Sequence, residues 1–308
     1  RDLRMSRGLG DVYKRQTLET WKRTVYISLV CVFCTAFGVS QLAPILPLYF
    51  HDLGVQTPEA MSLWSGLATG ATYIIVCLAA PFWGRVADKK GRKITLIRSS
   101  FGMALCNILI AFQTTPEGVV LIRLVQGLVS GFYSASITLI ASESPIERTG
   151  WALGLLASAN LAGSLIGPLL GGYIADTVGI RNDFIIVGTL MGLAGVLATI
   201  FIHENYVPQP NPEKLSIRKL KEQIPEFNSI VALCVASFIY AICIMSLQPV
   251  ISVYIKGIVP SDTENLAFIA GAVFSAMGIA QLMSSSPLGK LVDKIGPRKV
   301  LVLSLIHI

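Results

Sequence analysis

Three groups of residues in this 308-residue chain could do chemistry. The first is a carboxylate set among glycines and cations: Gly84, Asp88 and Gly91 with Arg92 and Lys93, returning as Gly289, Asp293 and Gly296 with Arg298. The glycines permit close helix approach and a sharp turn. A carboxylate at such an elbow can bond to the N-terminus of another helix, so it can latch two helices and release them. The second group is Arg123 with Gln126 and Gly127, and Arg123 is the one ionised residue well inside a long apolar run. A cation at the bilayer centre costs about 2.5–3.5 kcal/mol. Arg123 therefore either lines a central cavity, where it binds substrate or modulates a proton site, or snorkels to the nearer interface. The third group is Gly163, Gly167 and Gly171 at spacing four, with Pro168 and Gly172. Small residues at that spacing let two helices in lipid approach closely, and the proline bends the helix. Gln41, Pro44 and Pro47 are expected to kink another apolar run, where Gln41 needs a polar partner or cavity water. Tyr49, Tyr73, Met103, Phe132 and Tyr133 either line an apolar cavity or pack against neighbours and lipid.

These residues need membrane helices to position them. The chain is 53% hydrophobic and 14% charged, with a mean hydropathy of +0.65; soluble domains carry about 25% charged residues. A bilayer core needs roughly 20 apolar residues per helix. Eight stretches qualify, near 25–50, 61–83, 95–113, 118–142, 151–174, 184–202, 229–255 and 267–288. If the N-terminus is cytoplasmic, nearly all loop Lys and Arg face inward, and the outer loops hold only Arg181 and Lys256. That asymmetry sets the orientation, so the net charge of +7 reads as topology rather than nucleic-acid binding. Trp21, Trp64, Trp83 and Trp151 fall at span ends, as an interfacial belt requires. The six cysteines all lie within spans and have no metal-type spacing with His, so they read as small apolar residues and no metal site is expected. No Asp or Glu lies within a span. Asp52, Glu117, Asp176 and Asp183 sit at span ends, with His51 beside Asp52, and each is expected to be a solvated loop residue.

The expected fold is all-α, a polytopic membrane protein. It has a six-helix bundle over 17–202, a cytoplasmic linker over 203–228 and the first two helices of a second pseudo-repeat bundle over 229–302. The elbow recurs after the second and eighth helices, which are equivalent positions in a six-plus-six array. Recurrence of this kind marks a carrier built from duplicated halves. Residues 1–16 and 303–308 fit neither half. Asp11 to Gln16 looks like a translation of the transposase mosaic-end adapter used in sequencing libraries, and Leu303 to Ile308 like its reverse complement. Both are expected to be non-native tails, with the parent continuing into at least four more helices.

With these motifs in hand, the chain resembles the major facilitator superfamily, and within it the twelve-helix drug:proton antiporters of the multidrug efflux branch. The elbow from Gly84 to Lys93 and its second copy match the superfamily loop signature, although Pro297 in the copy displaces its positive end. Arg123 with Gln126 and Gly127 matches the fourth-helix motif, Gly163 to Gly172 the fifth-helix antiporter motif, and Gln41 to Pro47 the first helix of that branch. The resemblance implies that Asp88 latches an inner gate against a late helix, that Asp293 meets the start of the fifth helix near Arg148 to Trp151, and that the glycine motif restricts leak. It also implies a monomeric secondary exporter of small lipophilic molecules, working by alternating access and driven by protons. The setting would be the bacterial cytoplasmic membrane, with no cofactor, no nucleic acid and no enzymatic activity. Uptake of a nutrient by the same fold, or a non-transporting receptor or scaffold, are the alternatives.

Overall fold

The structure is a computed structural model. It describes the backbone of residues 2–204, 227–260, 265–295 and 299, and the side chains of residues 21–204, 227, 230–260, 265–284, 295 and 299. The expected tail at 303–308, most of the 203–228 linker, Gly296 and Arg298 lie outside the described residues. Gly289 and Asp293 are described as backbone only.

Among the described residues the chain is helical throughout, with no strand. The order is α1 (Asp2–Ser40), α2 (Leu42–Asp52), α3 (Pro58–Lys90), α4 (Arg92–Ala111), α5 (Pro116–Val129), α6 (Phe132–Glu143), α7 (Thr149–Val178), α8 (Ile180–Phe201), α9 (Phe227–Ile258) and α10 (Leu266–Ile295). The backbone over 2–16 continues α1. Among the described residues, eight helical segments are long and apolar enough to cross a membrane. They agree in place with the eight apolar stretches of the sequence.

The helix starts are written locally. Thr57 and Thr115 cap α3 and α5, each hydroxyl accepting from the backbone N–H three residues on, at 3.3 and 3.2 Å. Each is followed by proline at the first helical position and by glutamate. Proline has no N–H to leave unpaired there, and the acid faces the positive end of the helix dipole. Single glycines make the sharpest connections: Gly91 (φ 93°) between α3 and α4, and Gly179 (φ 90°) between α7 and α8. These are conformations that L side chains avoid.

Two of the apolar stretches are each broken into two helices. The first breaks at Gln41, between α1 and α2. The ring of Pro47 removes the N–H that would bond the Ala43 carbonyl, and Ser252 Oγ on α9 donates to that oxygen at 3.4 Å. The fourth breaks at Ser130 and Gly131, where Gly131 takes φ 116°. Gly127 and Gly131, four residues apart, therefore do not share one continuous helix face. Gly127 alone makes the close approach, its α-carbon lying against the Thr72 carbonyl and Ile75 of α3.

The helices pair as α1 with α7, α4 with α8, α3 with α5, and α7 with α10. All the helix ends carrying Asp88, Arg92, Glu143, Thr149 and Phe201 lie at one end of the bundle, called here the basic end; Asp52, Thr57, Thr115, Gly179 and Leu266 mark the far end.

Candidate functional site

Arg123 lies in the middle of the molecule. It is 6% exposed, and its Nη1 donates to Gln126 Oε1 at 2.7 Å. Gln126 sits one turn further from the far end, so the side chain reaches inward along α5, not towards the nearer interface. Among the described residues no carboxylate forms an ion pair with Arg123, and its Nε has no acceptor. Two cavities meet at this guanidinium. One, of about 510 Å³, is lined by Thr35, Tyr73, Met103, Gln126, Tyr133 and Asn160 among others. The second, of about 540 Å³, reaches across to Tyr240, Gln248 and Phe274 on α9 and α10. Tyr73, Met103, Phe132 and Tyr133 all line the first cavity. Tyr49 does not: it is fully buried, its hydroxyl donates to the Ile110 carbonyl at 2.7 Å, and its ring packs edge-on to Phe184.

α7 carries two adjacent stripes. Gly163, Gly167 and Gly171 face α1: added β-carbons would run into the Phe33 carbonyl, the Phe37 carbonyl with Ser40 Oγ, and the Gln41 side chain. Pro168, Gly172 and Asp176 face α10. The Pro168 carbonyl lies against Gly271, and Gly172 lies against the Ala267 carbonyl and Phe268. Asp176 accepts from the Ala267 and Phe268 N–H groups at 3.1 and 2.7 Å, and Ser275 Oγ donates to the Leu165 carbonyl at 2.6 Å. A carboxylate on the first amides of a helix meets both its unpaired donors and its positive dipole end. Asp176 was expected in solvent. It is instead a half-buried cap on α10. The legible signal was its place four residues after Gly172 and eight after Pro168.

At the basic end, Gly91 makes the turn expected of it. A β-carbon on Gly84 would meet nothing within 4 Å, so no close approach occurs there among the described residues. The backbone N–H groups of Arg92 and Lys93 donate to Glu204 at 2.7 and 2.8 Å, and Lys93 Nζ donates to the Thr199 carbonyl at 2.9 Å. Glu204, read from sequence as linker, thus caps α4 and ties it to the end of α8. Asp88 lines a groove of about 340 Å³ with Trp83, Arg92, Arg98 and Gly131.

Arg98 is a second residue that sequence reasoning passed over as loop charge. It stacks over Trp83 at 3.5 Å and donates to the Leu128 and Ser130 carbonyls, both at 3.1 Å; Trp83 Nε1 donates to the same Leu128 carbonyl at 2.8 Å. The break between α5 and α6 frees these carbonyls, and a guanidinium fork is the side chain that can hold two of them at once. Arg98→Ala is expected to lower stability, since each hydrogen bond to a charged group contributes about 1.5–3 kcal/mol. Arg98→Lys is expected to recover only part, because an ammonium cannot fork. Thermal unfolding of the three proteins in one detergent checks this; equal midpoints would remove the clamp.

The remaining acids divide. Asp52 is exposed, 3.8 Å from His51, and Glu117 is exposed in the first turn of α5. Asp183 departs from expectation: it is 0% exposed and accepts from Gln41 Nε2 at 3.0 Å. Its span begins at Ile180, four residues earlier than the apolar run suggested. Asp183, Val187 and Met191, all fully buried at spacing four, make one inward face. That register was the signal, and the polar run Arg181-Asn182-Asp183 masked it. Pro44 is buried in α2 beside the same break.

The sequence profile of the Major Facilitator Superfamily matches residues 28–308. The multidrug resistance protein MdtG of Proteus mirabilis (strain HI4320) is 37% identical over 286 residues, 93% of this chain and 71% of the relative. The MdtG protein of Dickeya zeae (strain Ech586) is 38% identical over the same length, 70% of the relative. Among solved structures, the human organic anion transporter MFSD10 (TETRAN) superposes with a TM-score of 0.60 at 16% identity, covering 84% of this chain and 71% of that one. A D-xylose–proton symporter superposes at 0.55 and 15%, covering 89% and 68%. At such identities these two speak for the fold. A profile spanning nearly all of the chain, relatives at this identity and eight membrane-length helices around a central cavity agree: this multi-pass membrane protein belongs to the major facilitator superfamily.

Proposed function

We propose that the protein is a multidrug exporter, a carrier and not an enzyme, that moves lipophilic molecules across the bacterial cytoplasmic membrane by alternating access and draws on the proton gradient. The observation that carries this reading is the paired cavity at Arg123, bounded by helices of both bundles, in a chain related to MdtG over 93% of its length. A mostly apolar cavity with a few convergent polar groups is the usual form of a site for small molecules. The unpaired guanidinium supplies donors to an acceptor on the cargo, and the aromatic rings supply apolar contact.

In this reading the basic end faces the cytoplasm and the protein works as a monomer, with the bundles at 17–202 and 229–302 as its moving bodies. The elbow of Gly84, Asp88, Gly91, Arg92 and Lys93, with its copy at Gly289, Asp293, Gly296 and Arg298, latches the inner door. The antiporter motif on α7 then works on both neighbours. Gly163, Gly167 and Gly171 weld α7 to α1 inside the first bundle, so the two move together. Pro168, Gly172 and Asp176 form the outer seam against α10. Gln41, Pro44 and Pro47 give the first span the break that lets its cavity wall and its outer core differ in direction.

The test is expression of the gene in a host stripped of its own pumps, with drug accumulation measured across a broad panel, with and without a protonophore. Lower accumulation that the protonophore abolishes is the expected result. Accumulation equal to that of the empty host for every compound would overturn the reading, and efflux that survives the protonophore would remove its proton coupling.

A further inference from the structure

Asp183 and Gln41 together have the chemistry of a proton-binding site. Both side chains are completely buried, in the interior between the first and sixth spans. One hydrogen bond joins them, from Gln41 Nε2 to Asp183 Oδ2 at 3.0 Å. The other two polar atoms of the pair, Asp183 Oδ1 and Gln41 Oε1, are both buried and both without a donor. As an ionised pair the site therefore has two spare acceptors and nothing to satisfy them. Buried acceptors left unpaired cost about 1–3 kcal/mol each, and a bare carboxylate in a membrane interior costs more.

The charged and titratable groups around the pair do not relieve this. On α8 itself, Arg181 is exposed and reaches the Gln113 carbonyl at 3.4 Å. On α7, Asp176 is held by the Ala267 and Phe268 amides. On α2, the Tyr49 hydroxyl is held by the Ile110 carbonyl, and His51 and Asp52 lie half-exposed at the helix end. On α4, Asn107 donates to the Met103 carbonyl and to Met191 Sδ. On α1, no ionisable group other than a thiol lies in the buried part of the helix. None of these is bonded to either carboxylate oxygen among the described residues. What the site lacks is a single hydrogen.

We infer that Asp183 and Gln41 form a carboxylic acid–carboxamide pair that takes up and gives back one proton. A protonated Asp183 has an O–H to donate and so satisfies an acceptor, while Gln41 keeps its own N–H bond to the carboxyl group, and the net charge is zero. The step is a proton transfer alone: the carboxyl O–H bond forms as an O–H bond of hydronium breaks, and on release the reverse occurs. Gln41 connects this event to the transport cavity. It sits in the break of the first span between Ser40 and Leu42, which line the cavities, and Gly171 of α7 rests directly on its side chain. Gain or loss of the proton thus acts on the joint where the first span bends. That this proton drives drug movement rests on the exporter reading; that the pair binds a proton does not.

Infrared difference spectroscopy of the full chain in lipid tests the binding directly. A carboxylic-acid carbonyl band that grows as the pH falls is expected in the parent spectrum minus that of Asp183→Asn, where the bands of the other acids cancel. That variant keeps the shape of the pair, since asparagine can both donate to and accept from Gln41, so it is expected to fold as the parent does. Parent and variant spectra that titrate identically at every pH where the protein stays folded, leaving no band in the subtraction, overturn the assignment. In proteoliposomes of the whole transporter, drug addition is expected to move protons in the parent and not in Asp183→Asn, with downhill drug flux retained in both. Proton movement that survives in the variant also overturns it. A titrating band in a protein that moves no drug upholds the proton site and removes the exporter reading instead.

Discussion

Gly172→Leu is expected to abolish active efflux while leaving the protein folded and in the membrane. A β-carbon at this position falls on the Ala267 carbonyl and the Phe268 α-carbon, which are backbone atoms and cannot turn aside. The two helices must then part, and with them go the Asp176 cap on α10 and the Ser275 bond to Leu165. Overpacking of a tight contact costs about 1–3 kcal/mol. At 1.4 kcal/mol per tenfold, the closed outer seam loses population by a factor of about 5 to 150. Because Gly172 faces α10 and not α1, the first bundle should keep its own packing. The measurement is labelling of Ser164→Cys, which lines both cavities, by a membrane-impermeant maleimide added from outside. In a cysteine-free background, labelling is expected to rise steeply when Gly172→Leu is added. Unchanged labelling with full efflux would end the assignment of this seam to the outer door.

Arg123→Ala is expected to eliminate drug efflux at normal expression, with Arg123→Lys recovering a minor part. The guanidinium is the one buried cation among the described residues, and a transporter retains such a group against an insertion cost of about 2.5–3.5 kcal/mol. Its partner is a neutral amide, Gln126, at 2.7 Å, so several of its donors remain for cargo. Alanine removes both the charge and the wall shared by the two cavities. Lysine restores the charge at a point but not the planar fork. Efflux should be compared with thermal stability in the same detergent. A variant as stable as the parent that no longer exports places the loss in the cavity. Full export by Arg123→Ala would sink the site.

The eight spans and their order were legible from hydropathy, because a bilayer imposes length and composition on each helix separately. Arg123 was legible as a charge within an apolar run, but only its bond to Gln126 and its burial separated the cavity from snorkelling to the interface. The glycine motif was legible as a close-packed surface, but not in its partners. Which stripe of α7 meets α1 and which meets α10 depends on a rotation of about 100° per residue that both patterns satisfy equally. The breaks at Gln41 and Gly131 were half visible: prolines flagged the first, while the second hid inside an apolar run in which glycine is ordinary.

Charge at span ends was the weakest part of the reading. Asp176, Asp183, Glu204 and Arg98 all sit within a turn or two of a helix terminus, where sequence alone cannot separate solvent from interior. Each was expected in water or in a loop. Asp176 caps α10, Glu204 caps α4, Arg98 holds the break between α5 and α6, and Asp183 is sealed against Gln41.

Sequence by itself determined that this is an all-helical membrane protein with a cation inside its fourth span, since each of those properties is carried by one segment. Only tertiary structure decided which polar groups near the membrane boundary are partners. Their burial depends on how deep a neighbouring helix reaches, and that depth is a property of packed pairs rather than of any one stretch of chain.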